Sequence, residues 1–281
     1  MTDFKNKNVL ITGAASGIGK LMAQKMAGLG ANLFLWDLNE SSLGELRTEL
    51  QAAGSKAFAY TCDLSDNHAV RSTAGALLSE HGHIDILVNN AGIVTGKLLQ
   101  EASDEEIELT FKVNALALFW TTRAFLPAMI ERNSGHIVTI ASAGGIVGTS
   151  RLVDYSATKH AAVGFNESLR FELKRQKSNI KTTVVCPFYI NTGMFDGVKT
   201  RVPLLMPILT PEYAVKRIVN AIRKNHPRLV MPRFVMASYP MRIFPTAIFD
   251  AVISALGINN TMDEFTGRAK SKKQLQEEVS V

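Results

Sequence analysis

Residues 9–19 read Val-Leu-Ile-Thr-Gly-Ala-Ala-Ser-Gly-Ile-Gly, a short apolar string that runs directly into glycines at 13, 17 and 19. Val9 to Thr12 predicts a buried strand, and helix-spaced apolar residues from Leu21 to Leu29 predict a helix closed by Gly30. Between them Gly13 permits a tight turn. Gly17 and Gly19 let the backbone approach a ligand and let the helix pack closely on the strand. A helix opening out of such a turn offers unpaired N–H groups and a partial positive charge, which suits a pyrophosphate. A nucleoside-triphosphate loop fails by register. Ile18 stands where its second glycine belongs, and Leu21 follows Lys20 where a magnesium-binding hydroxyl is needed.

Outward from this turn the pattern repeats. Apolar runs at Leu33 to Trp36, Lys56 to Thr61, Ile84 to Val88, Gly135 to Ala141 and Lys181 to Cys186 predict strands. Helical periodicity at Ser41 to Ala53, Val70 to Leu78 and Tyr155 to about Gln176 falls between them. Strands apolar throughout, separated by helices, predict an α/β fold: a Rossmann-like, doubly wound parallel sheet with helices on both faces. No repeat or linker divides the chain. Residues 1–195 are read as the dinucleotide-binding core carrying the catalytic residues, 196–260 as a substrate lid and C-terminal appendage of the same domain, and 261–281 as a flexible basic tail.

The bulk numbers narrow the function. The 281 residues are 46% hydrophobic, with 31 Lys and Arg against 25 Asp and Glu for a net charge of +6. Part of that excess lies in Arg268, Lys270, Lys272 and Lys273. No interleaved basic and aromatic surface of the kind single-stranded nucleic acid requires is present, so no nucleic-acid partner is expected. Cys62 and Cys186 make no disulfide framework, and neither they nor His81, His83, His136 and His160 have metal-ligand spacing, so no metal is expected. The first strand begins within a few residues of Met1 with no basic-then-apolar leader, and no apolar run approaches the ~20 residues of a membrane span. A cytoplasmic protein is the resulting expectation.

Asp37 ends the second strand, where a carboxylate accepts hydrogen bonds from adenosine ribose hydroxyls and repels a 2′-phosphate. With no Arg or Lys following closely, this predicts NAD(H) rather than NADP(H) as cofactor. The Gly-x3-Gly-x-Gly spacing, Asn89-Asn90-Ala91-Gly92 after the fourth strand, and Asn114, Ser142 and Tyr155-x3-Lys159 in that order together resemble the short-chain dehydrogenase/reductase family. The resemblance covers roughly residues 8 to 195. It implies cofactor contacts from Gly13, Ser16, Gly17, Ile18 and Gly19, from Asp63 and Leu64 at the adenine, and from Asn89, Ala91 and Gly92 along the adenosine side. Tyr155, Lys159 and Pro187 are further expected contacts, with Ile190 and Thr192 holding the nicotinamide carboxamide. It also implies a homodimer or homotetramer, with the helices around Asn114 to Ile130 and Tyr155 to Gln176 as contact faces. Phe188 departs from the pattern, since most relatives carry Gly after that Pro.

The chemistry follows from spacing. Tyr155 and Lys159 lie one helical turn apart and share a face. A phenol of pKa ~10 must lose about 3 pKa units, or ~4 kcal/mol, to act as a base near neutrality. A unit charge ~4 Å away at an effective dielectric near 20 is worth about that much, so Lys159 supplies much of the shift and an oxidised, cationic nicotinamide adds to it. Ser142 offers a hydroxyl to the substrate oxygen, and Asn114, by the family's example, supports a water-linked proton relay through Lys159.

Beyond Thr192 the chain turns to Met194, Phe195, Val198, Val202, Leu204, Leu205, Met206, Ile208 and Leu209, which suits a lid over an apolar ligand or plain core packing. Leu35-Trp36-Asp37, Tyr60-Thr61-Cys62-Asp63, Phe119-Trp120-Thr121-Thr122, Thr182 to Pro187 and Met231-Pro232-Arg233 resemble the retinol dehydrogenases and the lipid-droplet 17β-hydroxysteroid dehydrogenases. That likeness implies a retinoid, steroid or other lipophilic alcohol interconverted with its carbonyl. The stretch from Leu229 to Leu256 is read either as an amphipathic segment giving peripheral membrane contact or as packing onto the pocket or a second subunit. A catalytically silent NAD(H)- or lipid-binding protein and an NADPH-dependent carbonyl reductase are the alternatives. The intact tetrad argues against the first and Asp37 against the second.

Overall fold

The computed structural model describes residues 1–268. The glycine-rich stretch links strand β1 (Asn8–Thr12) to helix α1 (Gly17–Ala27), followed by β2 (Asn32–Asp37), α2 (Glu40–Ala52), β3 (Ala57–Thr61), α3 (Asn67–His81) and β4 (Ile86–Asn89). Then come α4 (Asp104–Phe111), a π turn (Lys112–Leu116), α5 (Ala117–Glu131), β5 (His136–Ile140), α6 (Val153–Arg175) and β6 (Lys181–Pro187). Last are α7 (Pro211–Arg223), β7 (Arg228–Met231), α8 (Ser238–Met241) and α9 (Thr246–Ala255). The strands form one parallel sheet in the order β3-β2-β1-β4-β5-β6-β7. The chain steps outward from β1 to β3 and then crosses back to β4 on the other side of β1. The resulting crevice at the strands' carboxyl ends is where such sheets place ligands.

Strand alternation divides the core into two layers. Val9, Ile11, Leu33 and Leu35 face Met22, Met26, Leu43, Leu46, Ile218 and Ile222 from α1, α2 and α7. Leu10, Phe34, Trp36 and Leu87 face Val70, Leu77, Phe125 and Leu173 from α3, α5 and α6. Both sheet faces are thereby dry, which is why the strands read as apolar runs rather than alternating ones. Each fully buried Leu, Ile or Phe contributes roughly 1.5–3 kcal/mol of transfer free energy. The run Asp104–Glu131 is long and apolar enough by length and composition to cross a membrane. Here it is a packed helix, interrupted by the π turn and lying against α3 and α6.

Two boundaries differ from the sequence reading. The sheet does not end at residue 195, because α7 and β7, from the stretch read as an appendage, complete it on the β6 edge. The signals were local: Thr210 caps α7 by accepting from Tyr213 N–H, Pro211 takes the first turn, and Ala214, Val215, Ile218, Val219 and Ile222 form a single buried stripe. Nor are residues 261–268 a loose tail, since Thr261 and Met262 are buried. Lys270, Lys272 and Lys273 lie outside the described residues.

One buried histidine makes the fold acid-sensitive. His136, at the start of β5, pairs Nε2 with Thr183 Oγ1 at 2.8 Å and Nδ1 with Thr2 Oγ1 at 3.2 Å. Burial, helped by Lys181, pushes its pKa down to about 4. Below the unfolded value near 6.5 the unfolded chain takes up a proton that the native protein refuses. Stability therefore falls as pH drops through 6.5 and levels off near 4, by about 3 kcal/mol in all. Thermal melts of wild type from pH 7 to 4.5 should show this fall, and His136→Asn should flatten it. An equally steep fall in the variant would assign the effect elsewhere.

Candidate active site

The turn after β1 is shaped by contacts that leave no room for side chains. Gly13 has φ +63°, and a Cβ there would stand 2.9 Å from Ala91 Cα. A Cβ on Gly19 would overlap Gly13 O and approach Asn90 Nδ2 at 2.6 Å. Asn90 fastens the turn by donating from Nδ2 to Thr12 O (2.9 Å) and Gly13 O (3.1 Å). Thr12 Oγ1 in return accepts from the N–H groups of Asn90 and Ala91. The side chain of Ser16, the N-cap of α1, makes no capping bond, so the first-turn N–H groups remain available at the cleft. This cradle of backbone donors fits a diphosphate. At the end of β2, Asp37 accepts from Ala15 N–H at 2.9 Å and Asn39 N–H at 3.1 Å, and its carboxylate lines the cleft.

Gly13, Ser16, Gly17, Ile18, Gly19, Asp37, Asp63, Leu64, Ala91, Gly92, Pro187, Ile190 and Thr192 all line one cleft of about 360 Å³, together with Ser142, Tyr155 and Lys159. Asn89 does not. Its amide is buried against α5, accepting from Thr121 Oγ1 at 2.8 Å. Successive strand residues point to opposite sides, so it is Asn90 that meets the glycine turn.

Asn114 also stands behind the cleft wall rather than in it. The π turn carries its amide onto the Ile93 backbone, where Oδ1 accepts from Ile93 N–H (2.8 Å) and Nδ2 donates to Ile93 O (2.9 Å). Gly92 stands in front, where a Cβ would lie 3.3 Å from both Asn114 Oδ1 and Lys159 Nζ, a tight contact.

At the other end of the cleft Ser142 follows β5 and Tyr155 sits in the first turn of α6. Ser142 Oγ accepts from Gly144 N–H at 3.0 Å, and a Cβ built on Gly144 would lie 3.4 Å from both Ser142 Oγ and the Tyr155 ring. Lys159 Nζ donates to Ile140 O at 3.0 Å and lies 5.5 Å from the Tyr155 ring centre. Tyr155 and Lys159 are only 5% and 4% exposed. Such dryness decides their protonation. Burial pushes Tyr155 up to about 12, with the Ser142 hydroxyl pulling it back and Tyr189 adding to the rise. Burial likewise lowers Lys159 to about 8. Desolvation thus dominates the phenol in the protein on its own, and the expected lowering rests on Lys159 and a cationic nicotinamide acting together.

The walls around Tyr155 are apolar. Phe195 meets its ring edge-on at 5.7 Å, and Phe188 and Tyr189 stack edge-to-face at 4.5 Å. Val147, Leu152, Met206, Phe234, Met241, Ile253 and Leu256 complete the lining. Phe188, the departure from the family pattern noted in the sequence, becomes part of this wall. Phe234, Met241, Ile253 and Leu256 come from the Leu229 to Leu256 stretch, for which packing onto the pocket was one of the expectations, whereas Leu152, just before Tyr155, and Arg268, from the stretch read as a tail, were not singled out. Among the described residues no cluster of metal-ligating side chains exists.

The family described as short chain dehydrogenase matches residues 7–202. The chain is 51% identical over 231 residues to short-chain dehydrogenase/reductase family 16C member 6 of Bos taurus, covering 82% of this chain and 73% of that one. Epidermal retinol dehydrogenase 2 of Mus musculus is 44% identical over 265 residues, 93% of this chain and 86% of its own. Retinol dehydrogenase 10 of Homo sapiens is 44% identical over 248 residues, covering 78% and 73%. Among solved structures, a short-chain dehydrogenase/reductase from Burkholderia phymatum in complex with NAD superimposes with a TM-score of 0.77 at 28% identity, covering 85% of this chain and 93% of its own. A metagenomic short-chain oxidoreductase in complex with NADP gives 0.68 at 28% identity, covering 82% and 96%.

Proposed function

The chain belongs to the short-chain dehydrogenase family, within its retinol dehydrogenase branch, and from that premise we propose that it interconverts a hydroxyl and a carbonyl on a retinoid, steroid or other lipophilic alcohol with NAD(H) as cofactor. The observation that carries this is the meeting of the Tyr155 and Ser142 hydroxyls and the Lys159 ammonium in one apolar-walled cleft whose far end is the glycine cradle. When bound, the nicotinamide supplies the hydride chemistry and, oxidised, a second positive charge. Ser142 orients the substrate oxygen, and Tyr155 holds the proton that moves to or from it. Lys159 favours the phenolate. Asn114 positions the Ile93 backbone behind Gly92 and connects Lys159 to a water-linked proton path. The aromatic walls exclude water, which strengthens each electrostatic interaction. The reading is tested by following reduced nicotinamide with a panel of retinoid, steroid and long-chain alcohols. No turnover with any of them would leave a binding protein only.

NAD(H) is proposed over NADP(H) because the Asp37 carboxylate faces the cleft beside Leu38, with Asn39 and Glu40 following and no cation in that turn. A 2′-phosphate against it sets like charges together, a penalty of several kcal/mol. The expected kcat/KM is on the order of 100-fold higher with NADH than with NADPH, and Asp37→Ser should narrow the gap to about tenfold. Steady-state kinetics favouring NADPH in the wild type would reverse the assignment.

Exposed apolar side chains at Phe119 and Ile130 on α5 and Phe171 on α6 support self-association through these two helices, as a homodimer or homotetramer. Ile243, Phe244 and Ile248, exposed beside Arg242, support peripheral contact of the C-terminal region with a membrane from which a lipophilic alcohol can reach the cleft.

A further inference from the structure

After α9 the chain doubles back across the mouth of the cleft and ends its described course at Arg268. We infer that Arg268 is a cofactor-binding residue, its guanidinium closing over the diphosphate of the dinucleotide from the side opposite the glycine cradle. This rests on the dinucleotide-binding reading above.

Position is the first support. Arg268 Nη1 donates to Ser16 Oγ at 2.9 Å and Nη2 to Thr192 O at 3.3 Å. A Cβ on Gly17 would lie 3.2 Å from Nη2. The guanidinium therefore bridges the turn after β1 and the loop after β6. A dinucleotide reaching from Asp37 to Tyr155 must pass its diphosphate between those two loops.

Charge is the second. The guanidinium brings its own N–H donors to the side of the cleft facing the α1 N-terminus, whose partial charge is also positive. A diphosphate in the cleft they share turns both into attractions. Guanidinium is the side chain whose planar fork matches phosphate oxygens.

Delivery is the third. Tyr189 Oη pairs with Thr261 Oγ1 at 2.9 Å, and the N–H groups of Thr266 and Gly267 donate to Asp196 O at 2.8 and 3.3 Å. The Phe265 ring occupies the space in front of Gly96, where any Cβ would overlap it. Arg268 is thus carried on a fastened strap, so little ordering entropy remains to oppose binding. Because Ser16 adjoins Ala15, whose N–H the Asp37 carboxylate accepts, the comparison of NADH with NADPH is what separates a diphosphate role from recognition of a 2′-phosphate.

The test compares full-length wild type, Arg268→Ala and Arg268→Lys. NADH and NADPH dissociation constants come from fluorescence titration at low and high salt, and adenosine binding from saturation-transfer NMR. Arg268→Ala should weaken both dinucleotides alike, by about 10- to 100-fold at low salt, with a shallower salt dependence. Adenosine, which lacks phosphate, should bind as before, and Arg268→Lys should recover part of the loss. Unchanged or tighter NADH binding by Arg268→Ala, or a loss confined to NADPH, would overturn the inference while leaving the cofactor reading intact. Wild type that binds neither dinucleotide would remove the cofactor reading, and this inference with it.

Discussion

Tyr155→Phe is expected to lower kcat by about 10³- to 10⁴-fold while leaving the NADH dissociation constant within about twofold. The substitution deletes one oxygen and keeps the ring. The edge contact with Phe195 and the packing against Leu152 and Met262 therefore survive, and the fold should melt normally. Ser142 keeps the hydrogen bond that it accepts from Gly144 N–H. What disappears is the group that carries the proton. The protein alone holds that phenol up at about 12, so a rate for alcohol oxidation that rises with pH in the wild type, and does not in the variant, would report the titration directly. Single-turnover kinetics with a lipophilic alcohol, beside fluorescence titration of NADH, separate chemistry from binding. Wild-type turnover in the variant would remove Tyr155 from the mechanism.

Gly19→Ala should weaken dinucleotide binding by at least about 100-fold and destabilise the fold by roughly 1–3 kcal/mol. Gly19 has an ordinary helical backbone, so conformational freedom is not the reason. The added methyl would coincide with Gly13 O and crowd Asn90 Nδ2, both part of the bonded network holding the turn to β4. Relief requires the turn to move, and with it the donors that meet the diphosphate. Gly75→Ala is the control. It lies inside α3 with nothing within 4 Å of its new methyl, and should leave binding alone while stabilising the helix by roughly 0.5–1 kcal/mol. Equal binding by Gly19→Ala and wild type would show that the turn yields without cost.

Much of this was legible in the chain as written. The alternation of apolar runs and helical stripes located six of the seven strands and the sheet's doubly wound character, because burial on both faces imposes that pattern directly on the residues. The glycine spacing, Asp37, and the pair Tyr155 and Lys159 announced a cofactor end and a chemical end, because close backbone approach and a shared helical face each need particular residues at particular intervals. The seventh strand was passed over although its preceding helix carries a cap, a first-turn proline and an apolar stripe. Its residues are few, and the Pro- and Met-rich stretch before them read as a lid.

Other features had no local sign. Asn89 and Asn90 are adjacent and identical in chemistry, and alternation sends them to opposite sides, but only the docking of β4 decides which one meets α5 and which the glycine turn. Asn114 owes its place to a π turn that no interval of residues marked. The rise of the Tyr155 phenol in the protein on its own comes first from desolvation, a property of everything packed around the ring. Phe234 and Ile253 come from a stretch for which packing onto the pocket was only one of the readings, and Arg268 joins the cleft from the stretch read as a tail, since proximity in a folded protein depends on where whole elements dock. Short-range spacing decided the architecture and the chemical groups. Long-range packing decided which of them face the ligand, how strongly they hold a proton, and what closes over them.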